Sequence, residues 1–108
     1  MASSVTMSAL PFDDNDAPLY GVGQVAEMLG VQPAFLRRLD VEGVVQPSRS
    51  DGGQRRYSRT EVLLIQRVSE MADRGMTLVG IRRILELEAQ VTDLEQELSD
   101  LRGLHPDS

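Results

Sequence analysis

Apolar side chains recur with a helical period in four stretches of this chain. Val22, Val25, Ala26 and Leu29 share one face of a segment predicted as a helix over about 22–29. Gly30 follows, a residue that tolerates the left-handed backbone of a helix end. Val31 and Gln32 make a turn. Pro33 then opens a second helix, over about 33–40, at a position where the missing N–H costs nothing. Phe35, Leu36 and Leu39 are its core side, and Gly43 stops it. A third helix is predicted over about 59–74, with Val62, Ile65, Val68 and Ala72 facing inward and Gly75 at its end. Ser58 and Glu61 start it with the S-x-x-E spacing, in which each side chain bonds the other residue's backbone N–H.

Between the second and third helices the period changes. Val44 and Val45 begin a short extended segment and Pro47 leads out of it. Ser50, Asp51, Gly52 and Gly53 form a turn cluster between two polar strands, the second carrying Arg55, Arg56 and Tyr57. Thr77 caps a last helix over about 78–102, in which Ile84, Leu87, Val91, Leu94, Leu98 and Leu101 are spaced 3, 4, 3, 4 and 3. At 1.5 Å per residue this rod is roughly 35–40 Å long. It is too long, and its stripe too narrow, to fold back on so small a domain, so the stripe is read as a seam for a second copy. Packing of the helix on its own core is the alternative. The seam holds about two and a half heptads, marginal alone, and contacts near Met76 and Ile81 are expected to assist it. The chain thus divides into an N-terminal arm over 1–17, without periodicity and expected to be disordered, a domain over 18–76, a dimerisation helix over 77–102 and a tail over 103–108.

Composition narrows the chemistry. The 108 residues include no Cys, and His105 is the only His, which excludes a thiolate or imidazole cluster and with it a zinc site. The run Asp13, Asp14, Asn15, Asp16 lacks the glycine and distal glutamate of a calcium loop. No metal and no cofactor are expected. No apolar run approaches membrane-spanning length, and the first residues lack the pattern of a secretory signal, so a cytoplasmic location and no membrane partner are expected. The net charge of −6 is segregated: residues 1–36 sum to −4, residues 37–83 to +4 and residues 84–108 to −6. A basic island is the electrostatic footprint of a polyanion site. All eleven basic residues are Arg, whose fork suits phosphate and guanine edges.

Two short helices across a tight turn, followed by a glycine-tipped, arginine-rich hairpin, make a helix-turn-helix with a wing, a geometry for reading DNA. The expected fold class is mostly α: a winged helix-turn-helix with a small two-stranded β wing and a long C-terminal coiled-coil helix. The chain resembles the MerR family of transcription regulators, most closely its heat-shock repressor branch. The resemblance runs over about residues 19–101. It rests on Leu19-Tyr20-Gly21-Val22, Val25-Ala26-Glu27-Met28-Leu29-Gly30, Leu36-Arg37 with Gly43-Val44-Val45, Pro47-Ser48-Arg49, Gly52-Gly53-Gln54-Arg55-Arg56-Tyr57-Ser58 and Gly80 to Glu88. It implies a winged helix-turn-helix, a homodimer formed through the C-terminal helix, and a two-fold operator whose spacer the protein bends and untwists. Where the family carries an aromatic residue after the Arg of the second helix, this chain has Arg38 and Leu39. No helix breaker separates Ile81 from Leu101.

In that frame the second helix enters the major groove, and Gln32, Ala34, Arg37 and Arg38 face the bases. A glutamine pairs with adenine, and an arginine grips guanine or phosphate. For Arg37 the structural alternative is an ion pair with Asp40 or Glu42. Phe35 and Leu36 read as core. The wing supplies Arg49, Gln54, Arg55, Arg56 and Tyr57. Arg55 and Arg56 are adjacent on a strand and point to opposite faces, so one faces DNA while the other stacks or pairs within the fold; the family resemblance instead implies that both lie near the DNA backbone. Tyr57 is either a phosphate donor or a lid on the core. Arg82 and Arg83 are expected to pair with acids of the long helix. Ile84, Leu87, Val91, Leu94, Leu98 and Leu101 carry dimerisation. Five phosphate-neutralising Arg per protomer imply a log–log salt slope for the dimer of about −9, and contacts that go to bases make it shallower.

The leading expectation is therefore a sequence-specific regulator that binds double-stranded DNA as a homodimer. A second is a protein-interaction module whose acidic C-terminal helix binds a partner such as a chaperone acting as corepressor. An enzyme is not expected: no nucleophile or base has an orienting third group.

Overall fold

In the computed structural model, residues 14–104 are described. They form β1 (Tyr20–Gly21), α1 (Val22–Leu29), α2 (Pro33–Val41), β2 (Ser48–Arg49), β3 (Arg55–Tyr57), α3 (Arg59–Asp73) and α4 (Leu78–Leu104). Each helix begins and ends for a local reason. The Gln24 side chain accepts from the Gly21 N–H at the start of α1, and Gly30 ends that helix at φ 66°. Pro33 is the first residue of α2. At α3 the Ser58 hydroxyl accepts from the Glu61 N–H (3.0 Å) and the Glu61 carboxylate accepts from the Ser58 N–H (2.9 Å), the reciprocal cap read from the spacing. Thr77 Oγ1 accepts from the Gly80 N–H and caps α4, which runs 27 residues without a break.

Several expectations change. The wing has a third strand: β1 pairs antiparallel with β3, Tyr20 opposite Tyr57 and Gly21 opposite Arg56, giving the order β1-β3-β2. Val44 and Val45 do not extend a strand. They sit in a bend, buried, with both N–H groups directed to the Leu39 carbonyl. Residues 14–17, the last of the arm, form a turn over the start of α3. There the Asn15 carbonyl accepts from the Thr60 N–H and its side chain from Arg59, supplying a partner for one of the helix's free N–H groups. The rest of the arm, Asp13 included, and residues 105–108 with His105 lie outside the described residues. Helix α4 itself continues to Leu104, past the expected end at 102.

The core lies where α1, α2, α3, β3 and the first turn of α4 meet. Val25, Leu36, Leu39, Tyr57, Ile65, Val68 and Ile81 are its most deeply buried members, with Phe35, Ala72 and Leu85 packed around them. Ile81 is therefore a core residue of its own domain and not an aid to a second copy. Met76 stays exposed. No described helix is long and apolar enough to cross a membrane.

Candidate nucleic-acid interface

Burial of Leu36 and Leu39 decides which way α2 faces. The opposite side of its first turns carries Gln32, Ala34, Arg37 and Arg38, all exposed. Positions 34, 37 and 38 are neighbours on a helix surface. Among the described residues neither Arg37 nor Arg38 has an ion pair, so the Arg37 pairing with Asp40 or Glu42 does not form. Phe35 and Leu36 are core, as read.

Asp40 is engaged elsewhere. It follows Leu39 on the inward side of α2 and is only 9% exposed. A buried carboxylate is costly unless paired, and here one oxygen, Oδ2, accepts from two arginines of the wing: Arg49 Nη2 at 2.8 Å and Arg55 Nε at 2.7 Å. Arg49 and Arg55 are directly opposite each other across β2 and β3. The wing's tip closes with the Ser50 N–H donating to the Gln54 carbonyl, the Gly53 N–H to the Ser50 carbonyl, and Arg49 Nη1 to the Gly53 carbonyl. Gly53 takes φ 82°, a conformation that favours glycine. Gln54 is exposed beside it.

Strand alternation sends Arg56 to the other face from Arg55, as expected. Its guanidinium lies over Gly21, so close that a Cβ there would be 2.9 Å from Arg56 Nη1. Tyr57 is the lid on the core and not an exposed donor. It is 1% exposed, its hydroxyl has no hydrogen-bond partner among the described protein groups, and burial pushes the phenol above its ordinary value of 10.0. A phosphate contact by Tyr57 is therefore sterically closed.

The arginines of the long helix are occupied by acids. Arg83 Nη1 is 3.3 Å and Arg82 Nε 3.9 Å from Glu86, and Arg82 also donates to the Glu42 carbonyl. The apolar stripe of α4 is open. Leu87, Val91, Leu94, Leu98 and Leu101 are 42 to 62% exposed, and Ile84 is half-buried. Ile84, Leu87 and Val91 line a groove edged by Arg67, Glu88 and Thr92. The stripe does not pack on the domain's own core.

Sequence reasoning missed Asp40 as the meeting point of helix and wing. One signal was present: positions 36, 39 and 40 share a helical face, so an acid at 40 beside two core leucines must find a cation. Among the described residues no group of three or more His, Cys, Asp or Glu is placed to hold a metal.

Residues 20–88 match the family described as MerR HTH family regulatory protein. The chain is 39% identical over 87 residues to a putative heat shock protein HspR of Streptomyces coelicolor, a match covering 80% of this chain and 58% of that protein. It is 25% identical over 81 residues to the HTH-type transcriptional regulator GlnR of Bacillus anthracis, covering 75% of this chain and 63% of that one. The chain thus spans about three fifths of the length of these relatives. The fold superposes on MtaN, the N-terminus of the Bacillus subtilis multidrug transporter activator, with a TM-score of 0.57 at 25% identity, covering 79% of this chain and 90% of that one. It also superposes on HiNmlR, a MerR family regulator lacking the sensor domain, solved bound to promoter DNA. There the TM-score is 0.57 at 22% identity, covering 77% of this chain and 79% of that one. GlnR is named as a transcriptional regulator and HiNmlR as a MerR family regulator. By the family match across most of its length and by its fold, the chain belongs to the MerR family of helix-turn-helix regulatory proteins.

Proposed function

We propose that the chain is a sequence-specific, double-stranded-DNA-binding transcriptional regulator that acts in the cytoplasm as a homodimer on a two-fold operator. The observation that carries this reading is the outward face of α2. Gln32, Ala34, Arg37 and Arg38 are exposed together at the end of the helix that enters the groove in helix-turn-helix proteins, and neither arginine has an ion pair among the described residues. The wing supports it, with Gln54 exposed at its tip and Arg56 on the strand. The domain, expected over 18–76, is taken to include the first turn of α4 through Ile81, and the rest of that helix to 102 is taken as the dimerisation element.

The occupant of the α4 stripe is a second copy. Five large apolar side chains stand exposed along one heptad seam, and a two-fold partner offers the same seam in return. Two reading helices then lie about one turn of DNA apart, or a multiple of it. A chaperone-like protein bound to the acidic helix is the competing occupant. Sedimentation of the purified chain separates the two: a dimer without any added protein supports self-association, and a monomer supports the second reading.

Selection of duplexes from a random pool by the folded full-length chain, followed by a gel shift against competitor DNA, tests the function. An enriched inverted repeat retained under competitor is expected. Folded protein that enriches no sequence and retains no duplex at modest salt refutes it.

A further inference from the structure

The contacts of Asp40 divide the arginines of the DNA-facing surface into two kinds. Arg49 and Arg55 stand directly opposite each other on adjacent antiparallel strands, so their side chains share one face of the sheet and their like charges repel. Asp40 Oδ2 relieves that repulsion by accepting from both. The cluster ties the end of α2 to both strands of the wing and, through the bond from Arg49 to the Gly53 carbonyl, to its tip. It carries a formal charge of +1. The two guanidiniums are not equivalent: the Arg55 side chain is 19% exposed and that of Arg49 49%. A phosphate offered to Arg55 competes with a carboxylate already desolvated and in place 2.7 Å away. One offered to Arg37 or Arg38 meets no such competitor.

We propose that Asp40 is a positioning residue for DNA binding. It sets the wing against α2 and withholds Arg55 from the phosphate backbone, leaving Arg37, Arg38, Arg56 and the outer edge of Arg49 to meet it. This rests on the DNA-binding reading above and deepens it. Phosphate contacts place a protein on the duplex and base contacts specify sequence. A wing released from Asp40 adds a mobile cation to the binding of any duplex and loosens the register in which α2 meets base edges. Asp40 therefore trades sequence-independent affinity for discrimination.

The test is the salt dependence of binding by the full-length chain, on a random-sequence duplex and on the duplexes that the wild-type chain selects from a random pool. Asp40→Asn keeps the shape and removes the charge. One added phosphate contact per protomer steepens the log–log slope on the random duplex by about 2 per dimer. The ratio of selected to random affinity is expected to fall about tenfold, the loss that accompanies about one weakened base contact. Asp40→Glu returns the slope to the wild-type value. Arg55→Gln reads the same proposal with the Asp40 carboxylate kept and Arg49 still its partner: its slope stays within about 0.5 of wild type, whereas Arg37→Gln loses about 2. An unchanged slope in folded Asp40→Asn, or a loss of about 2 in Arg55→Gln, overturns the proposal while leaving DNA binding standing. A wild-type chain that binds neither duplex overturns both.

Discussion

Arg67 on α3 and Glu88 on α4 meet in a two-pronged ion pair, Nη1 to Oε1 at 3.0 Å and Nη2 to Oε2 at 2.9 Å. It joins α3 to the long helix just where the apolar groove of Ile84, Leu87 and Val91 begins. A planar guanidinium fork on a carboxylate fixes direction as well as distance, so the pair acts as a strut on the tilt of α4.

The strut is pH-dependent. The hydrogen bonds from Arg67 hold the Glu88 carboxyl below its ordinary value of 4.5. A carboxylate lowered in the fold contributes stability that is present above the unfolded value and lost as pH falls through the folded one. The melting temperature of Arg67→Gln is therefore expected to lie below that of wild type at neutral pH. The difference closes as pH falls below the ordinary value of 4.5 and through the lowered folded one, where Glu88 is protonated, with the small size usual for an exposed pair. Thermal unfolding across pH measures it. A difference that persists unchanged into acid contradicts it.

On the proposed homodimer, breaking the apolar stripe of α4 is expected to leave the domain folded. Leu94 is exposed and contacts none of the core cluster. Leu94→Asp is expected to halve the sedimenting mass and keep the helical circular dichroism of the domain. Operator affinity should drop about 100-fold, because the second half-site is no longer delivered by linkage to the first. Unchanged mass would remove α4 as the dimer element.

The Tyr57 hydroxyl separates core from contact. It is buried without a protein partner, so Tyr57→Phe deletes a desolvated polar group and is expected to be neutral or to stabilise by about 1 kcal/mol, with DNA affinity unchanged. The raised phenol has a second consequence. Its contribution is whole below about pH 10 and is lost as pH rises toward the folded value, so wild type loses stability in alkali that the Phe variant keeps. Weaker DNA binding by a folded Tyr57→Phe would return the hydroxyl to the interface.

Salt dependence counts the arginines left for phosphate. With Arg55 held by Asp40, the proposed contacts of Arg37, Arg38 and Arg56 and part of Arg49 predict a slope for the dimer of about −5 to −7, shallower than the about −9 of five full contacts. Binding isotherms over a range of salt decide between them.

The start of α3 is a local device and a local loss should follow. Ser58→Ala removes one half of a reciprocal cap and is expected to cost about 1 kcal/mol, read by chemical denaturation. It leaves the wing's register in place.

Helix boundaries were legible because their causes lie within four residues of chain. Ser58 with Glu61, Pro33, Gly30 and Thr77 mark their own ends, and the apolar period of each segment shows which face turns inward. The exposed residues of α2 followed from the same period once Leu36 and Leu39 were taken as buried. The wing was legible as a hairpin but not as a sheet of three strands, since Tyr20 meets Tyr57 across the length of two helices and nothing in a two-residue strand announces its partner.

The order of the helices, their starts, the glycine-tipped turn and the heptad spacing of α4 were determined by the sequence alone, because each rests on periodicity or on contacts between near neighbours. Tertiary structure alone decided that Asp40 takes Arg49 and Arg55 and leaves Arg37 free, that Tyr57 closes the core, and that Ile81 belongs to its own domain. Those outcomes depend on which charges and which apolar faces the packed helices bring within a few ångströms, and a chain read in one dimension holds several cations that an inward-facing acid at 40 would accept equally well.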